Sequence, residues 1–255
     1  MKFAWNMTTF AASKHFCHDY LANESRIVNW GMMVLKKWQL EPSSKTACTR
    51  EGNKNKIYMT TQIAGGWSAA DVRMSFFRKP ISNRYPAKTV SLFDVYQMVR
   101  GPLYRPETME LRALKTEQEQ RAYKQARLDF ILPGGVFSYA NDSSLVTASG
   151  LLGVDLDDIY DVEALKQRLM ADKLFETLML FRSPRGNGLK WFIEIDLGRC
   201  DYRQWFTGVR NYLLKVYRLT PEQVDPTSIN VSRACWLCHD PEVYLRTDLI
   251  ENFCI

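Results

Sequence analysis

The sequence predicts an α+β fold in which an antiparallel or mixed sheet carries helices on one face. From Met74 onward, segments with the alternation of strands and segments with helical periodicity are mixed without strict βα alternation. The 255 residues are 46% apolar, which is enough for one sizeable core. The longest stretch without a charged side chain, residues 57–70, is too short and too polar to cross a membrane, so no membrane partner is expected.

The chain changes character near Met74. Residues 1–73 contain ten basic and five acidic side chains, whereas residues 74–255 contain 24 basic and 23 acidic side chains. Residues 1–73 also show little sustained periodicity. We therefore expect an N-terminal extension over residues 1–73, outside the core, and one folded domain over residues 74–255. Six scattered cysteines and the lack of a secretory signal predict a cytoplasmic protein with reduced thiols.

The first predicted elements of the domain are a strand and two helices. Residues 74–77 are typical of a strand. Residues 91–94 resemble a capping box, and the helix that they begin is expected to end at Gly101. Residues 107–129 predict one long polar helix, whose inward-facing residues would be Leu111, Leu114, Ala122 and Ala126.

The rest of the domain predicts strands, a hairpin and two amphipathic helices. In chain order these are strands over 136–139 and 150–156, a helix over 161–174, a hairpin of strands over 177–181 and 189–195, a helix over 201–219 and a strand over 230–237.

Two carboxylates are expected on one face of the strand over 150–156. Because side chains alternate along a strand, Asp155 and Asp157 lie roughly 7 Å apart on the face opposite the apolar residues. This spacing suits shared divalent cations. In the strand over 189–195, alternation puts Lys190 on the charged face. If the apolar faces pack on helices, the charged faces form an open floor; the alternative is an ordinary solvated sheet face.

The turn over residues 183–190 is a candidate anion site. Gly186 and Gly188 would let backbone N–H groups converge on a triphosphate, and Arg185 and Lys190 add positive charge. The alternative is a plain hairpin that needs glycine for its backbone conformation. The turn lacks the spacing of a Walker A loop.

Two further patterns lie near the end of the chain. Asp225 is a third carboxylate, a few residues before Arg233. Residues 235–239 match the C-x-x-C-H pattern, but haem attachment needs export and zinc needs two more ligands. We therefore expect a strand here and not a metal site.

Taken together, residues 149–158, residues 181–190 and residues 224–225 with 232–241 resemble the three motifs of the archaeo-eukaryotic primase, or primase-polymerase, superfamily. The branch it resembles precedes virulence-associated protein E-type helicases in mobile elements. The resemblance covers about residues 74–253. It implies a sheet of RNA-recognition-motif type and template-directed nucleotidyl transfer with two metal ions, Mg²⁺ or Mn²⁺.

The resemblance also assigns roles to individual residues. Asp155, Asp157 and Asp225 match the catalytic metal ligands. The residues expected to contact the nucleotide are Ser183, Arg185, Gly186, Gly188, Lys190 and Arg233. Lys190 stands where many members of the superfamily have histidine. The partners that the resemblance implies are nucleoside triphosphates, a single-stranded DNA template and a separate helicase.

Three functions are therefore compared. The first is a primase-polymerase-like nucleotidyltransferase that makes primers during DNA replication of a mobile element. The second is a catalytically inactive nucleotide- or nucleic-acid-binding module that recruits a replicative helicase. The third is a nuclease that uses the same carboxylates. This third hypothesis is the weaker one, because Lys190 precedes Glu194 here, whereas restriction-type nucleases have the order E-x-K.

Overall fold

A computed structural model of the chain describes residues 68–246. Most of the expected extension, and residues 247–255 of the expected domain, lie outside this range. The described residues form antiparallel sheets and five α-helices, so the predicted α+β class is confirmed.

The described part of the chain contains ten strands. They are β1 Arg73–Phe77, β2 Lys88–Ser91, β3 Phe130–Leu132, β4 Gly135–Phe137, β5 Leu145–Ala148, β6 Leu151–Leu156, β7 Thr177–Arg182, β8 Leu189–Glu194, β9 Cys235–Trp236 and β10 Tyr244–Leu245. The α-helices are α1 Leu92–Arg100, α2 Arg105–Ala113, α3 Glu117–Arg127, α4 Val162–Met170 and α5 Tyr202–Val216.

The strands form two four-stranded sheets and one two-stranded ribbon. The first sheet has the order β2-β1-β3-β9, the second sheet has the order β10-β7-β8-β6, and the ribbon joins β4 to β5. All of these pairings are antiparallel. The predicted hairpin is the β7–β8 pair in the middle of the second sheet.

Helix α1 begins and ends where the sequence predicts. The Ser91 hydroxyl accepts a hydrogen bond from the Asp94 N–H, and the Asp94 carboxylate accepts one from the Ser91 N–H. This reciprocal capping box satisfies two N–H groups that the first helical turn leaves unpaired. The helix ends at Gly101.

The prediction of one long helix over residues 107–129 is wrong. The segment forms α2 and α3, because Thr116 begins a new capping box with Glu119 and interrupts the helix. Leu111 is buried as predicted, whereas Ala122 and Ala126 are exposed. Helix α3 has no buried residue, so its sequence periodicity does not mark a core-facing side.

The last predicted strand is also shorter than expected. Residues 226–229 form a short 3-10 helix, and only Cys235 and Trp236 belong to β9. The sequence analysis did not identify β2, β3, β5 or β10, each of which has four residues or fewer. Strands this short carry too little alternation to be recognised.

The second sheet is buried on both faces. Its apolar face, which includes Leu152, Val154 and Trp191, packs in one cluster with α4 and α5. On the opposite face, Phe192 and Phe181 share a core with α1 and the first sheet. The expectation of an open charged floor is therefore wrong: at one end of the second sheet this face belongs to an apolar core.

The folded core begins before Met74. Ala69 and Val72 are buried in the same cluster as Met74, and the Phe93 N–H donates to the Ala69 carbonyl. A shortened chain that keeps this core intact would therefore start before Ser68. Among residues 68–246, no helix has the length and apolar character needed to cross a membrane.

Candidate active site

The register of the second sheet pairs two of the predicted site residues. Asp155 on β6 lies directly opposite Lys190 on β8. The Lys190 ammonium contacts the Asp155 carboxylate. The two residues are only 7% and 4% exposed. A charged pair therefore lies inside the fold, next to the apolar core between the two sheets.

A distant segment brings the third carboxylate to the same place. The Asp225 N–H donates to the Asp155 carbonyl at 3.0 Å, and the Asp157 N–H donates to the Gln223 carbonyl at 2.9 Å. These backbone bonds hold residues 223–225 along the end of β6. Asp225 thus lies next to the strand end that carries Asp155 and Asp157, although it is far from them in sequence; the three residues are here called the carboxylate cluster.

Burial and charge act in opposite directions on the Asp155–Lys190 pair. Burial raises the pKa of the Asp155 carboxyl, and the Lys190 ammonium opposes that rise. Burial alone would lower the pKa of Lys190, but the nearby acidic groups, above all Asp155 and also Asp157, together outweigh it and hold the pKa above its usual range. Lys190 is therefore a fixed positive charge at neutral pH.

Asp225 is held by two donors. The Arg233 guanidinium contacts its carboxylate at 2.6 Å, and Thr227 donates from its backbone N–H at 2.9 Å and from its hydroxyl at 2.7 Å. Burial opposes ionisation, but the hydrogen bonds from Thr227 and the charge of Arg233 prevail, so the pKa of Asp225 is lowered. Asp225 is therefore ionised and fixed in orientation.

Asp157 is the most accessible carboxylate of the cluster. Its side chain is 31% exposed, and the Arg185 guanidinium lies 3.5 Å from it. The same guanidinium lies 3.7 Å from Asp158. Arg185 therefore connects the β7–β8 turn to the end of β6 at the rim of the site.

The β7–β8 turn needs its glycines. A Cβ atom at Gly188 would lie 2.1 Å from the Leu156 carbonyl oxygen, and Gly186 has a positive φ of 89°. The Gly186 N–H donates to the Ser183 carbonyl at 2.9 Å. The expectation that Gly186 offers its N–H to an anion is therefore wrong, because that group closes the turn.

Arg112 supports this turn from α2. Its guanidinium donates to the carbonyls of Pro184 at 3.1 Å and Ser183 at 3.3 Å. It also lies beside the Cα of Gly186. The sequence analysis did not identify Arg112, because α2 is far from the turn in sequence and only the tertiary fold brings the two together.

Unpaired polar atoms are concentrated at the site. Four buried side-chain atoms of the described residues have no hydrogen-bond partner, and three of them are Ser183 Oγ, Asn187 Oδ1 and Arg233 Nε. Leaving a buried polar group unpaired costs free energy, so such atoms are rare in native proteins. Ser183 Oγ and Arg233 Nε are donors, and a phosphate group would satisfy them.

A small cleft reaches Asp155, one of the three residues of the carboxylate cluster. Asp155, Ser228 and Arg233 supply its polar atoms, and the rings of Phe192 and Tyr202 supply apolar walls. The Asp155 N–H and the Ser228 hydroxyl are 3.4 Å apart across it. The cleft therefore brings Asp155, which is otherwise buried, to the boundary of the fold.

The donor chemistry of the cluster fits a hard divalent cation, because Mg²⁺ and Mn²⁺ prefer carboxylate oxygens. The positions of the cluster's side chains, however, do not form a ready-made metal site. No group of three or more acidic, histidine or cysteine side chains within residues 68–246 is already placed around one point. Lys190 and Arg233 hold the oxygens of Asp155 and Asp225 that a metal ion would use.

The C-x-x-C-H segment has a structural role. Cys235 and Cys238 are buried free thiols, and burial raises the pKa of both, to about 12 for Cys238. The Cys238 thiol donates to the Arg182 carbonyl, and a ring nitrogen of His239 lies 2.9 Å from the Gly101 carbonyl oxygen. These residues therefore pack the core and anchor β7.

The structure brings most predicted site residues together. Those around the carboxylate cluster are Asp155, Asp157, Asp225, Arg185, Lys190 and Arg233, and those that build the adjoining turn are Ser183, Gly186 and Gly188. The sequence analysis did not identify Lys124. Burial and the charges of Arg185 and Lys190 lower the pKa of Lys124, which places it near the site.

The chain is similar to one protein family over the region that holds this site. The family model described as the N-terminal domain of BT4734-like proteins matches residues 123–245. That span begins within α3 and ends at β10, so it contains every site residue predicted from the sequence. No curated protein and no solved structure matches the chain.

Proposed function

We propose that the chain is a primase-polymerase-like nucleotidyltransferase that makes primers on a single-stranded DNA template during replication of a mobile element. The observation that carries this proposal is the coincidence of two features in one place. The backbone segments that carry Asp155, Asp157 and Asp225 adjoin at the end of β6, and buried donors without partners are present on Ser183 in the adjoining turn and on Arg233 beside Asp225. A triphosphate with its metal ions would satisfy both sets of groups.

The proposal assigns a role to each group. Asp155, Asp157 and Asp225 would hold Mg²⁺ or Mn²⁺, which when bound activates the attacking hydroxyl and neutralises the leaving pyrophosphate. Ser183, Arg185 and Arg233 would donate to the phosphates. The charge of Lys190 opposes the rise in the pKa of Asp155 that burial causes. Arginine suits the phosphate positions because its guanidinium donates in a planar fork.

The proposal includes partners and a compartment. Nucleoside triphosphates and a template strand are the substrates, and a helicase would act as a separate protein. We place the reaction in the cytoplasm, which is supported by free thiols at all three cysteines of the described segment.

A primer-synthesis assay tests the proposal. The full chain is incubated with Mn²⁺ or Mg²⁺, a single-stranded template and labelled nucleotides. Wild type should make labelled products, and Asp157→Asn should abolish this synthesis. Asp71→Asn is the matched control, since Asp71 is exposed, precedes β1 and lies outside the cluster. Degradation of the template without synthesis would support the nuclease instead.

One observation favours the second candidate, a nucleotide-binding module without catalysis. Lys190 and Arg233 already neutralise Asp155 and Asp225, so the site could accept phosphate without a divalent ion. Titrating a nucleoside triphosphate in the presence of a chelator separates the two. Tight binding without metal, combined with no primer synthesis, would support the binding module.

A further inference from the structure

We propose that the β1–β2 loop, the β4–β5 loop and the second half of α3 form one surface that binds single-stranded DNA and leads it to the candidate active site. This surface is called the basic surface below. It rests on the proposed function only in that the bound strand would be the template.

Charge is unevenly distributed along the described chain. Residues 68–127 contain twelve basic and six acidic side chains, whereas residues 128–246 contain thirteen basic and sixteen acidic side chains. Within the first part, residues 72–93 contain five basic side chains and no acidic one. The near-neutral total charge of the domain therefore hides a local basic region, and a polyanion would be attracted to that region.

The β1–β2 loop presents this charge together with an exposed aromatic ring. Tyr85 is 75% exposed. Its ring lies 5.2 Å from that of Tyr139 in an edge-to-face arrangement. Arg84 precedes it and forms no ion pair with an acidic residue of the described chain. A basic groove with aromatic rings on which bases stack is the usual composition of single-strand binding sites.

The two loops are held in a defined arrangement. The Ala140 N–H donates to the Arg84 carbonyl at 2.8 Å, and the Asn83 amide donates to the carbonyls of Arg78 and Lys79. The loop conformation that displays Tyr85 is therefore present before any ligand binds. Such preorganisation reduces the entropy that binding must overcome.

Lys88, at the start of β2, is also restrained. Its ammonium lies 5.4 Å from the centre of the Phe76 ring, which the guanidinium of Arg78 also approaches, at 5.5 Å. Lys88 forms no ion pair with the acidic residues of the described chain either, so its charge is available to a phosphate.

Helix α3 connects this loop region to the candidate active site. The Ile81 N–H in the β1–β2 loop donates to the Gln125 carbonyl of α3 at 2.8 Å. The second half of α3 carries Arg121, Lys124 and Arg127, and no acidic residue follows Glu119 in the helix. The positive charges of Arg185 and Lys190 contribute to the lowered pKa of Lys124. Burial is the largest cause of that lowered pKa. The geometry agrees, because the Glu117 carboxylate at the start of α3 lies 3.8 Å from the Arg185 guanidinium. Cations thus extend from Tyr85 to the phosphate-binding side of the site.

The low burial of α3 fits this role. Helix α3 has no buried residue. Its contacts with the rest of the fold include the Tyr123 hydroxyl, which donates to the Glu110 carboxylate of α2 at 2.6 Å. A polar helix that packs so little on its own domain is available to a partner, and its basic half fits a phosphate backbone.

The test measures binding separately from catalysis. Fluorescence anisotropy of a labelled single-stranded oligonucleotide is recorded with the full chain in the presence of a chelator and without nucleotides. Tyr85→Ala should weaken binding by about 5- to 150-fold, the range for loss of one stacked base. The double variant Arg84→Gln/Lys88→Gln should reduce the slope of log K against log salt by about 1.4, the value for two phosphate contacts on a single strand.

Two matched controls define the surface. Tyr160 is a fully exposed tyrosine among acidic residues, and Lys215 is an exposed lysine on α5. Tyr160→Ala and Lys215→Gln should bind the strand as wild type does. Circular dichroism and urea unfolding check that each variant keeps the fold. A duplex of the same sequence should bind more weakly than the single strand, because its bases cannot reach Tyr85.

The outcomes separate this inference from the proposed function. Unchanged binding by Tyr85→Ala and by the Arg84→Gln/Lys88→Gln variant would overturn the inference, even if wild type makes primers. Duplex binding as tight as single-strand binding would also overturn it. Strand binding that depends on these residues, in a protein that makes no primers, would support the surface while the proposed catalytic function fails.

Discussion

Two ion pairs of the same chemical kind lie at opposite depths of the candidate active site. The Asp155–Lys190 pair is almost fully buried at the end of the core between the sheets, whereas Asp157 faces Arg185 at the rim with its side chain 31% exposed. In a buried pair each charge has lost its hydration, so it is stabilised only by the opposite charge. An exposed carboxylate keeps most of its hydration. We therefore expect the inner pair to control stability and the rim to control function.

The largest effect should come from breaking the inner pair. Lys190→Met leaves the Asp155 carboxylate buried without its cation, and loss of one partner of a buried pair typically costs about 3–5 kcal/mol. Urea unfolding should show this loss in the free energy of unfolding.

The double variant Asp155→Asn/Lys190→Met is the control for that loss. It leaves no unpaired buried charge, so it should recover part of the stability lost in Lys190→Met. If the free energy of unfolding of Lys190→Met is within about 1 kcal/mol of the wild-type value, the pair is solvated. The contrast between the inner pair and the rim then fails.

The next largest loss of stability should come from the β7–β8 turn, which lies between the inner pair and the rim. In Gly188→Ala, the new methyl group would collide with the Leu156 carbonyl, and overpacking of this kind costs about 1–3 kcal/mol. Gly208→Ala on α5 is the matched control. A Cβ there meets nothing within 4 Å, and alanine in a helix is favoured over glycine by up to about 1 kcal/mol. In thermal unfolding, the melting temperature should fall for Gly188→Ala and rise for Gly208→Ala. Equal shifts in the melting temperature would contradict the turn geometry.

A smaller effect concerns acid stability. The folded-state pKa of Asp225 is lowered by Thr227 and Arg233 against the effect of burial, so its contribution to stability is present above the unfolded-state pKa of about 3.9. The contribution is lost as the pH falls through the lower, folded-state value. Thermal melts from neutral pH to about pH 2 should show that Asp225→Asn is less stable than wild type near pH 7 and that the difference narrows below about pH 4. A constant difference would mean that the Asp225 carboxylate is not stabilised by its partners.

The smallest change in stability should occur at the rim. Asp157→Asn removes one partly exposed carboxylate, and exposed ion pairs contribute about 0–1 kcal/mol. Its free energy of unfolding should stay within about 1 kcal/mol of wild type. A larger loss in urea unfolding would show that Asp157 is a structural residue, and loss of activity in this variant would then say nothing about catalysis.

The sequence predicted the elements that depend on local signals. The capping box of Ser91 and Asp94 begins α1 where expected, and alternation assigned the correct faces to β6 and β8. The same alternation could not show what covers the charged face. That cover comes from the first sheet and α1, whose residues are distant in sequence.

The sequence analysis predicted which candidate residues would lie near one another but not their ion pairs. Asp155, Asp157 and Asp225 do lie at one end of β6, yet no local pattern shows that Lys190 and Arg233 already contact the oxygens of Asp155 and Asp225. Support from Arg112 and the unpaired hydroxyl of Ser183 also depend on tertiary contacts. Spacing along a strand gives the direction of a side chain, whereas its partners follow only from the packing of sheets and helices.

Calorimetric titration of dATP with Mn²⁺ into the full chain tests the central claim that this cluster is a triphosphate site. Wild type should bind one nucleotide per chain, Arg185→Gln should bind roughly tenfold or more weakly because a charge-assisted hydrogen bond is lost, and the exposed control Asp71→Asn should match wild type. Equal affinity in wild type and Arg185→Gln, or no binding by wild type, would contradict the claim.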